Sequence, residues 1–327
     1  MALSEFDIIR RYFARGGPAR TDVALGIGDD AALVRVPPGA ELAVAVDTQV
    51  DGVHFPRNTD PEAIGYKALA VNLSDLAAMG AEPAWATLAL TLPAADEAWL
   101  AGFARGFSGL ADQYGVELVG GDTTRGPLAV TVSVYGLVPA GTALRRAGAR
   151  PGDAVYVTGT PGDAAAGLRL LQSSLRSDAG LRARLVERLE RPRPRVAEGL
   201  ALRGVASAAI DISDGLTADL GHILEASGVG ATLWVDRVPL SHAFRELLAA
   251  NPDARSALGA LALTGGDDYE LCFTAPADRA DAVSRALQPR DSGFTAVGVI
   301  DSEPGLRCVH DDGRPWQPPA HGYRHFG

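Results

Sequence analysis

The sequence predicts an α/β (α+β) protein built from two mixed α/β domains, and three observations carry that prediction. Short apolar runs with strand character alternate with longer stretches of helical periodicity through both halves of the chain. Acidic or glycine-rich turns follow many of the strands, as in Gly120-Gly121-Asp122 and Gly265-Gly266-Asp267. Residues 139–153 are rich in Gly, Pro and Arg and lack periodicity, which sets a boundary between domains spanning 1–140 and 150–327.

The elements follow in order. Ser4 is placed to cap a first helix whose apolar positions Phe6, Ile9, Tyr12 and Phe13 recur at helical spacing. Residues 41–47 form a buried strand ending on Asp47. Residues 61–79 read as a helix with Pro61 in its first turn and Gly80 as its stop. A strand over 84–92 and a helix over 96–114, closed by Gly115, come next. Strands over 116–119 and 128–138 flank a loop at 120–124. The second half alternates again: strand 154–157, helices through Leu202, strand 208–212, helix 216–226 and strand 231–235. It ends with strand 269–274, helix 278–287 and strand 294–300. No repeat of 20 to 50 residues is visible, which excludes a solenoid.

Composition narrows the function. With 47% hydrophobic and 21% charged residues the 327-residue chain can bury a substantial core. No apolar stretch approaches the roughly 20 residues of a membrane span. The first residues lack a basic start and an apolar h-region, and Cys272 and Cys308 suit no zinc spacing, so a reduced cytoplasmic location is expected. The charge balance of 30 − 40 = −10 argues against nucleic acid as a partner. Lys67 is the single lysine, so a phosphate-handling site must use arginine, backbone amides or metal.

The informative pattern is where the aspartates fall. Asp29 and Asp30 lie in a glycine-rich turn, Asp47 ends a strand, and Asp122 follows two glycines. Asp211 and Asp214 sit between a strand and a helix, and Asp267 and Asp268 follow Gly265-Gly266. An isolated aspartate beside glycine is ordinarily a turn former or cap, and Asp214 could simply cap the helix that begins at Leu216. Asp75 resists that reading, because a carboxylate inside an apolar helix must find a cation or donors. So many acidic loops ending apolar strands suit hard divalent cations, which bring phosphate to an acidic site.

Other nucleotide motifs fail. Gly26-x-Gly28-x-x-Ala31 would face a pyrophosphate with two aspartates and opens no long helix. No P-loop and no protein-kinase set occurs. Thr158-Gly159-Thr160-Pro161-Gly162-Asp163 could cradle an anion at a helix start, or be a plain βα turn.

Taken together these segments resemble the thiamine-monophosphate kinase family, within the superfamily of aminoimidazole ribonucleotide synthetase. The matching stretches are GIGDDA (26–31), Asp47-Thr48 with Gly52-Val53-His54-Phe55, YKALAVNLSDLAAMG (66–80) and GGDTTRG (120–126). YVTGTPGDAAAG (156–167), IDISDGLTADLG (210–221), GGDDYELCF (265–273) and Gly322-Tyr323 complete the ordered set. The resemblance implies an N-terminal sheet paired in a homodimer, with ATP near that interface and the C-terminal domain completing the site. It implies several magnesium ions held by Asp30, Asp47, Asp75, Asp122, Asp211 and Asp214. Gly121, Asp122, Arg146 and Ser213 would lie along the ATP phosphates, and His54, Asp267 and Tyr323 would face thiamine monophosphate. Without the family match, His54 beside Phe55 reads equally as a packed histidine, and Tyr323 as an anchor of the C-terminus.

Two positions depart from the family. Ala45-Val46 stand where it often has hydroxyl residues, so only backbone oxygens could ligate metal there. Asp267 replaces a common glutamate, keeping the charge on a shorter arm. The implied reaction is in-line transfer of the ATP γ-phosphoryl group to thiamine monophosphate, the last step of thiamine diphosphate biosynthesis. The acceptor phosphate is already ionised, so no residue is assigned as general base. Alternatives are another ATP-dependent synthetase of the superfamily and a non-catalytic nucleotide-binding regulator.

Overall fold

Ser4 and Asp7 cap each other reciprocally at the chain's first helix, α1 (Glu5–Ile8), which continues into a π-helical turn over Ile9–Phe13. The computed structural model describes residues 4–14, 20–290 and 292–317. They divide into two compact units, Met1–Leu76 with Ala81–Gly141, and Ala77–Gly80 with Thr142–Gly327.

In the first unit, β1 (Val23–Leu25) and β2 (Leu33–Val34) pair antiparallel. They precede β3 (Ala40–Val50), α2 (Pro61–Ala78), β4 (Glu82–Leu92), α3 (Glu97–Tyr114), β5 (Glu117–Arg125) and β6 (Ala129–Pro139). The sheet order is β3-β6-β4-β5, antiparallel except for the parallel β4–β5 pair. Val130, Val132, Val134 and Val138 of β6 are buried while their neighbours are part-exposed, the period-2 pattern of a sheet with one face under helices. Those helices approach closely because glycine lets them: a Cβ on Gly106 of α3 would lie 1.8 Å from the Glu62 carbonyl oxygen of α2. Asp96 caps α3 through the N–H groups of Ala98 and Trp99, and Gly115 ends it at φ 64°, ψ 30°. On the other face Trp85 packs with Val23, Ala32 and Tyr135, and its Nε1–H donates to Asp22 at 3.2 Å.

Two expectations are corrected in this unit. The strand expected to be buried at 41–47 is the outer strand β3, which leaves Leu42, Val44 and Val46 exposed. The predicted loop at 120–124 is the continuation of β5, paired with Thr87 to Thr91 of β4. The ladder shifts by one residue at Val119 and then runs on through both glycines. They let it pass close to β4, since a Cβ on Gly121 (φ 154°) would sit 1.9 Å from the Leu88 oxygen.

The second unit runs β7 (Asp153–Thr158), α4 (Asp163–Gln172), α5 (Ala179–Glu190), α6 (Val196–Leu202), β8 (Ala208–Asp211), α7 (Leu216–Ser227) and β9 (Gly230–Trp234). It continues with α8 (His242–Ala250), α9 (Arg255–Gly259), α10 (Leu261–Thr264), β10 (Leu271–Pro276), α11 (Ala280–Leu287), β11 (Phe294–Asp301) and β12 (Gly305–Val309). Its six-stranded sheet has the order β12-β9-β11-β7-β10-β8, in which only β12–β9 is parallel. Leu216, Leu220, Ile223 and Leu224 of α7 pack on Val155, Ile210 and Leu233 of this sheet. The strand predicted from Tyr269 begins instead at Leu271, because Asp267 and Tyr269 hold φ of 69° and 52°, which no strand accommodates. Among the described residues no helix is long and apolar enough to cross a membrane.

Candidate active site

Register positions the acidic residues of the first unit. Asp122 stands on β5 opposite Ala89 of β4, is exposed, and lines a cavity of about 850 Å³ together with Asp29, Asp30, Gly121 and Phe13. The turn that carries Asp30 is fixed locally, its N–H donating to Asp29 Oδ1 at 2.8 Å.

Asp47, Asp75 and His54 form a second group. The Asp47 N–H on β3 donates to Asn72 Oδ1 at 3.1 Å, and Asp75 follows one turn later on the same side of α2. Burial raises the Asp47 carboxyl above its ordinary value, and nearby His54 partly offsets this. His54 Nδ1 accepts the Val50 N–H at 3.0 Å, which leaves Nε2 to carry the proton of the neutral ring. Lys67, 2% exposed, donates from Nζ to the His54 carbonyl at 3.3 Å.

These two groups lie at opposite edges of one sheet. Asp47 is in the row Asp47–Val132–Leu88–Gly121, so three strand spacings, roughly 14 Å, separate it from the Asp122 edge. They also point to opposite faces, because Asp122 shares its row with Ala89 and Thr131, one residue along.

In the second unit Asp211 ends β8, 5% exposed, and leads into the loop of Ser213 and Asp214. Asp214 does not cap α7. The N–H groups of Ser213, Asp214 and Gly215 donate at 3.1, 3.0 and 3.1 Å to a single oxygen, Oδ2 of Asp219. Burial, then the neighbouring charge of Asp211, pushes the Asp219 carboxyl up to about 7. Arg146 is exposed, and its backbone is pinned where the Ser227 hydroxyl donates to its carbonyl at 3.2 Å.

Asp267 belongs to a loop stitched to that one: its N–H donates to the Ser213 carbonyl and the Tyr269 N–H to the Ile212 carbonyl, both at 2.8 Å. The Tyr269 hydroxyl donates to Asp267 Oδ1 at 3.2 Å. Beneath, Glu270 accepts from Arg195 at 2.5 and 2.6 Å, Arg188 at 2.8 Å and the Thr158 hydroxyl at 2.7 Å. Burial opposes the Glu270 charge, but the two arginines and Thr158 hold its carboxyl below the usual range. Asp268, equally buried, accepts the Gly162 N–H at 2.6 Å and is raised well above that range by burial. Tyr323 lies outside the described residues.

No three His, Cys, Asp or Glu side chains converge into a metal cage among the described residues. Magnesium does not need one, since it takes one or two carboxylates and completes its shell with water and phosphate oxygens. The carboxylates of Asp30, Asp122 and Asp214 accept no hydrogen bond among the described residues, so their oxygens are open to a hard cation and the donor set fits the ion.

Sequence reading missed Asp219, Glu270 and its arginines as anchors of this site, and placed Asp268, which holds the Gly162 N–H, in the cation-binding pattern. A signal for Asp219 was present, a carboxylate among the apolar residues Leu216, Leu220 and Ile223 of one helix, the same anomaly noted at Asp75.

Two family models match the chain, AIR synthase related protein N-terminal domain over residues 28–138 and its C-terminal domain over 150–311. Thiamine-monophosphate kinase of Salmonella typhimurium is 51% identical over 328 residues, covering 100% of this chain and 99% of the relative. The chain belongs to the thiamine-monophosphate kinase family. The crystal structure of the family member from Stenotrophomonas maltophilia K279a superposes with a TM-score of 0.84 at 50% identity, over 91% of this chain and 93% of that one. The structure of AaThiL complexed with AMPPCP and TMP gives 0.77 at 32% identity, covering 92% of each chain.

Proposed function

We propose that the chain transfers the γ-phosphoryl group of ATP to the phosphate of thiamine monophosphate, giving thiamine diphosphate and ADP. The observation that carries this reading is the 51% identity to a thiamine-monophosphate kinase across the whole of both chains. The geometry supports it, since the Asp30, Asp122 and Asp214 carboxylates accept no hydrogen bond among the described residues.

In this reading Asp30 and Asp122 would hold magnesium in the first unit beside Gly121, Asp47 and Asp75 at the other sheet edge, and Asp211 and Asp214 in the second unit. Bound magnesium would neutralise phosphate charge and align donor and acceptor for in-line transfer. Arg146 and Ser213 would bind nucleotide phosphate oxygens; the exposed guanidinium suits the charge that spreads over the transferring group. His54, Asp267 and Tyr323 would face thiamine monophosphate. The acceptor oxygen is already anionic, so no side chain needs to remove a proton.

The active species is a homodimer in the cytoplasm. Supporting the dimer, β3 is an outer strand of its sheet and exposes Leu42, Val44 and Val46 at 41%, 59% and 60%. The edge-to-edge separation of Asp47 from Asp122 adds that a partner's sheet could supply what one copy holds apart. Two unbridged cysteines suit a reducing compartment.

The test is ADP formation from ATP and magnesium with thiamine monophosphate, thiamine or no acceptor, with thiamine products resolved chromatographically. Stoichiometric thiamine diphosphate from thiamine monophosphate alone is expected. ATP binding with no thiamine product would overturn the reading.

A further inference from the structure

Three successive backbone N–H groups that converge on one point make a concave anion site, the arrangement proteins use to cradle phosphate. In the loop from Ser213 to Gly215 that concavity is already filled by the chain's own carboxylate. Asp219, 2% exposed, reaches back from the first turns of α7 and places one oxygen 3.0–3.1 Å from all three nitrogens.

A helix start alone does not call for this. A side chain at the N-cap accepts from N–H groups inside the first turn, whereas the three held here belong to the loop up to Gly215, and holding them buries a carboxyl beside Asp211. Here the N-cap is Gly215, at φ 112° and ψ 145°, where a Cβ would meet the Thr264 backbone at 2.7 Å. The loop is thus pressed against its neighbour, and its N–H groups are gathered by a residue inside the helix. The same clamp reaches Asp267, whose N–H is held by the Ser213 carbonyl.

We propose that Asp219 is the positioning residue of the nucleotide site, filling the amide concavity so that the loop meets phosphate only through the Ser213 hydroxyl and cations held by Asp211 and Asp214. This rests on the reading above, in which those three residues serve magnesium and nucleotide. Asp219 itself touches neither. Its single task is to hold three N–H groups inward.

The test uses the full chain and manganese with ATP, followed by electron paramagnetic resonance, alongside amide hydrogen exchange of residues 211–217 in the unliganded protein. Asp219→Ala is expected to speed exchange there about 10-fold or more and to weaken manganese–ATP binding about 10- to 100-fold, as loss of a residue orienting metal ligands does. Formate, a carboxylate small enough for the vacated space, is expected to restore both. Asp219→Asn keeps the shape and offers a neutral acceptor, so it covers the case in which the alanine variant fails to fold. Its expected change is about 10-fold in both readouts, because hydrogen bonds to a neutral oxygen are weaker. Exchange and manganese–ATP affinity unchanged in Asp219→Asn, while Asp211→Asn and Asp214→Asn lose the affinity, would overturn the positioning role and leave the site reading standing. Affinity retained in Asp211→Asn and Asp214→Asn would instead bring down the site reading.

Discussion

The chain uses the tripeptide Gly-Gly-Asp twice, at 120–122 and at 265–267, and builds it in opposite ways. In the first, the glycines run inside β5 and the ladder to β4 sets where Asp122 stands; its carboxylate is exposed and hydrogen-bonds nothing among the described residues. In the second, no ladder is available. Asp267 and Tyr269 sit at positive φ, a conformation that costs a non-glycine residue roughly 1–2 kcal/mol. Buried carboxyl groups hold them there: Asp268 on the Gly162 N–H, and ionised Glu270 between two arginines. A carboxylate presented by strand register needs no support of its own, whereas one presented by a strained loop needs an anchored foundation.

Glu270→Ala gives the sharpest break. It removes the nearer carboxylate of Arg195, 6% exposed in its side chain and otherwise 3.8 Å from Glu198, and should cost about 3–5 kcal/mol by equilibrium denaturation. A cost under about 1 kcal/mol would mean that the ion pairs are not what anchors the second loop. Asp122→Asn is the counterpart. Turnover should fall on the order of 100-fold, while stability stays within about 0.5 kcal/mol because nothing in the fold leans on that side chain. Full activity with ordinary magnesium dependence would remove Asp122 from the ligand set.

Gly121→Ala tests how closely β5 depends on its neighbour. A Cβ 1.9 Å from the Leu88 oxygen forces a backbone shift, and a loss of about 1–3 kcal/mol in a thermal or urea melt is expected. Gly109→Ala, at an exposed position of α3 where a Cβ meets nothing, should instead stabilise by roughly 0.5–1 kcal/mol.

The smallest effect is a slope. Burial lifts the Asp268 carboxyl well above its ordinary value, so the native protein keeps a proton that the unfolded chain has released. The stability this site contributes is complete below about pH 3.9 and declines as pH rises through the native pKa. Asp268→Asn keeps an acceptor for the Gly162 N–H and should flatten that decline, measured as the difference in denaturation midpoint between acidic and neutral pH. An unchanged slope would mean that Asp268 titrates alike in both states.

The long elements were legible because their signals are local: Asp96 and Gly115 bracket α3, and the apolar run of β4 is unbroken. The strands β1, β2 and β12 were not read, being two to five residues long and only partly buried, with little periodicity to detect. Helix α8 had a legible start, with Ser241 capping through the Phe244 N–H, and its Phe244, Leu247 and Leu248 follow at helical spacing. Gly120-Gly121 misled because glycine marks a loop locally, while close strand contact is a property of the partner strand. In the candidate site the residue types were legible and their arrangement was not. Nothing in the sequence reveals that register sends Asp47 and Asp122 to opposite edges of one sheet, or that Asp219 gathers the N–H groups of Ser213, Asp214 and Gly215.

The outer strand β3 has a consequence for how the chain survives its own synthesis. Eleven residues long and lined by Leu42, Val44 and Val46, it emerges well before the residues of the second unit do. Such an edge accepts a strand from any passing chain, so crowded nascent copies compete for it with off-pathway aggregation. Asn72 already occupies the N–H of Asp47, which shortens the stretch open to a stray strand. Slower production at lower temperature should therefore raise the yield of recoverable protein more than any change in the stability of the finished fold.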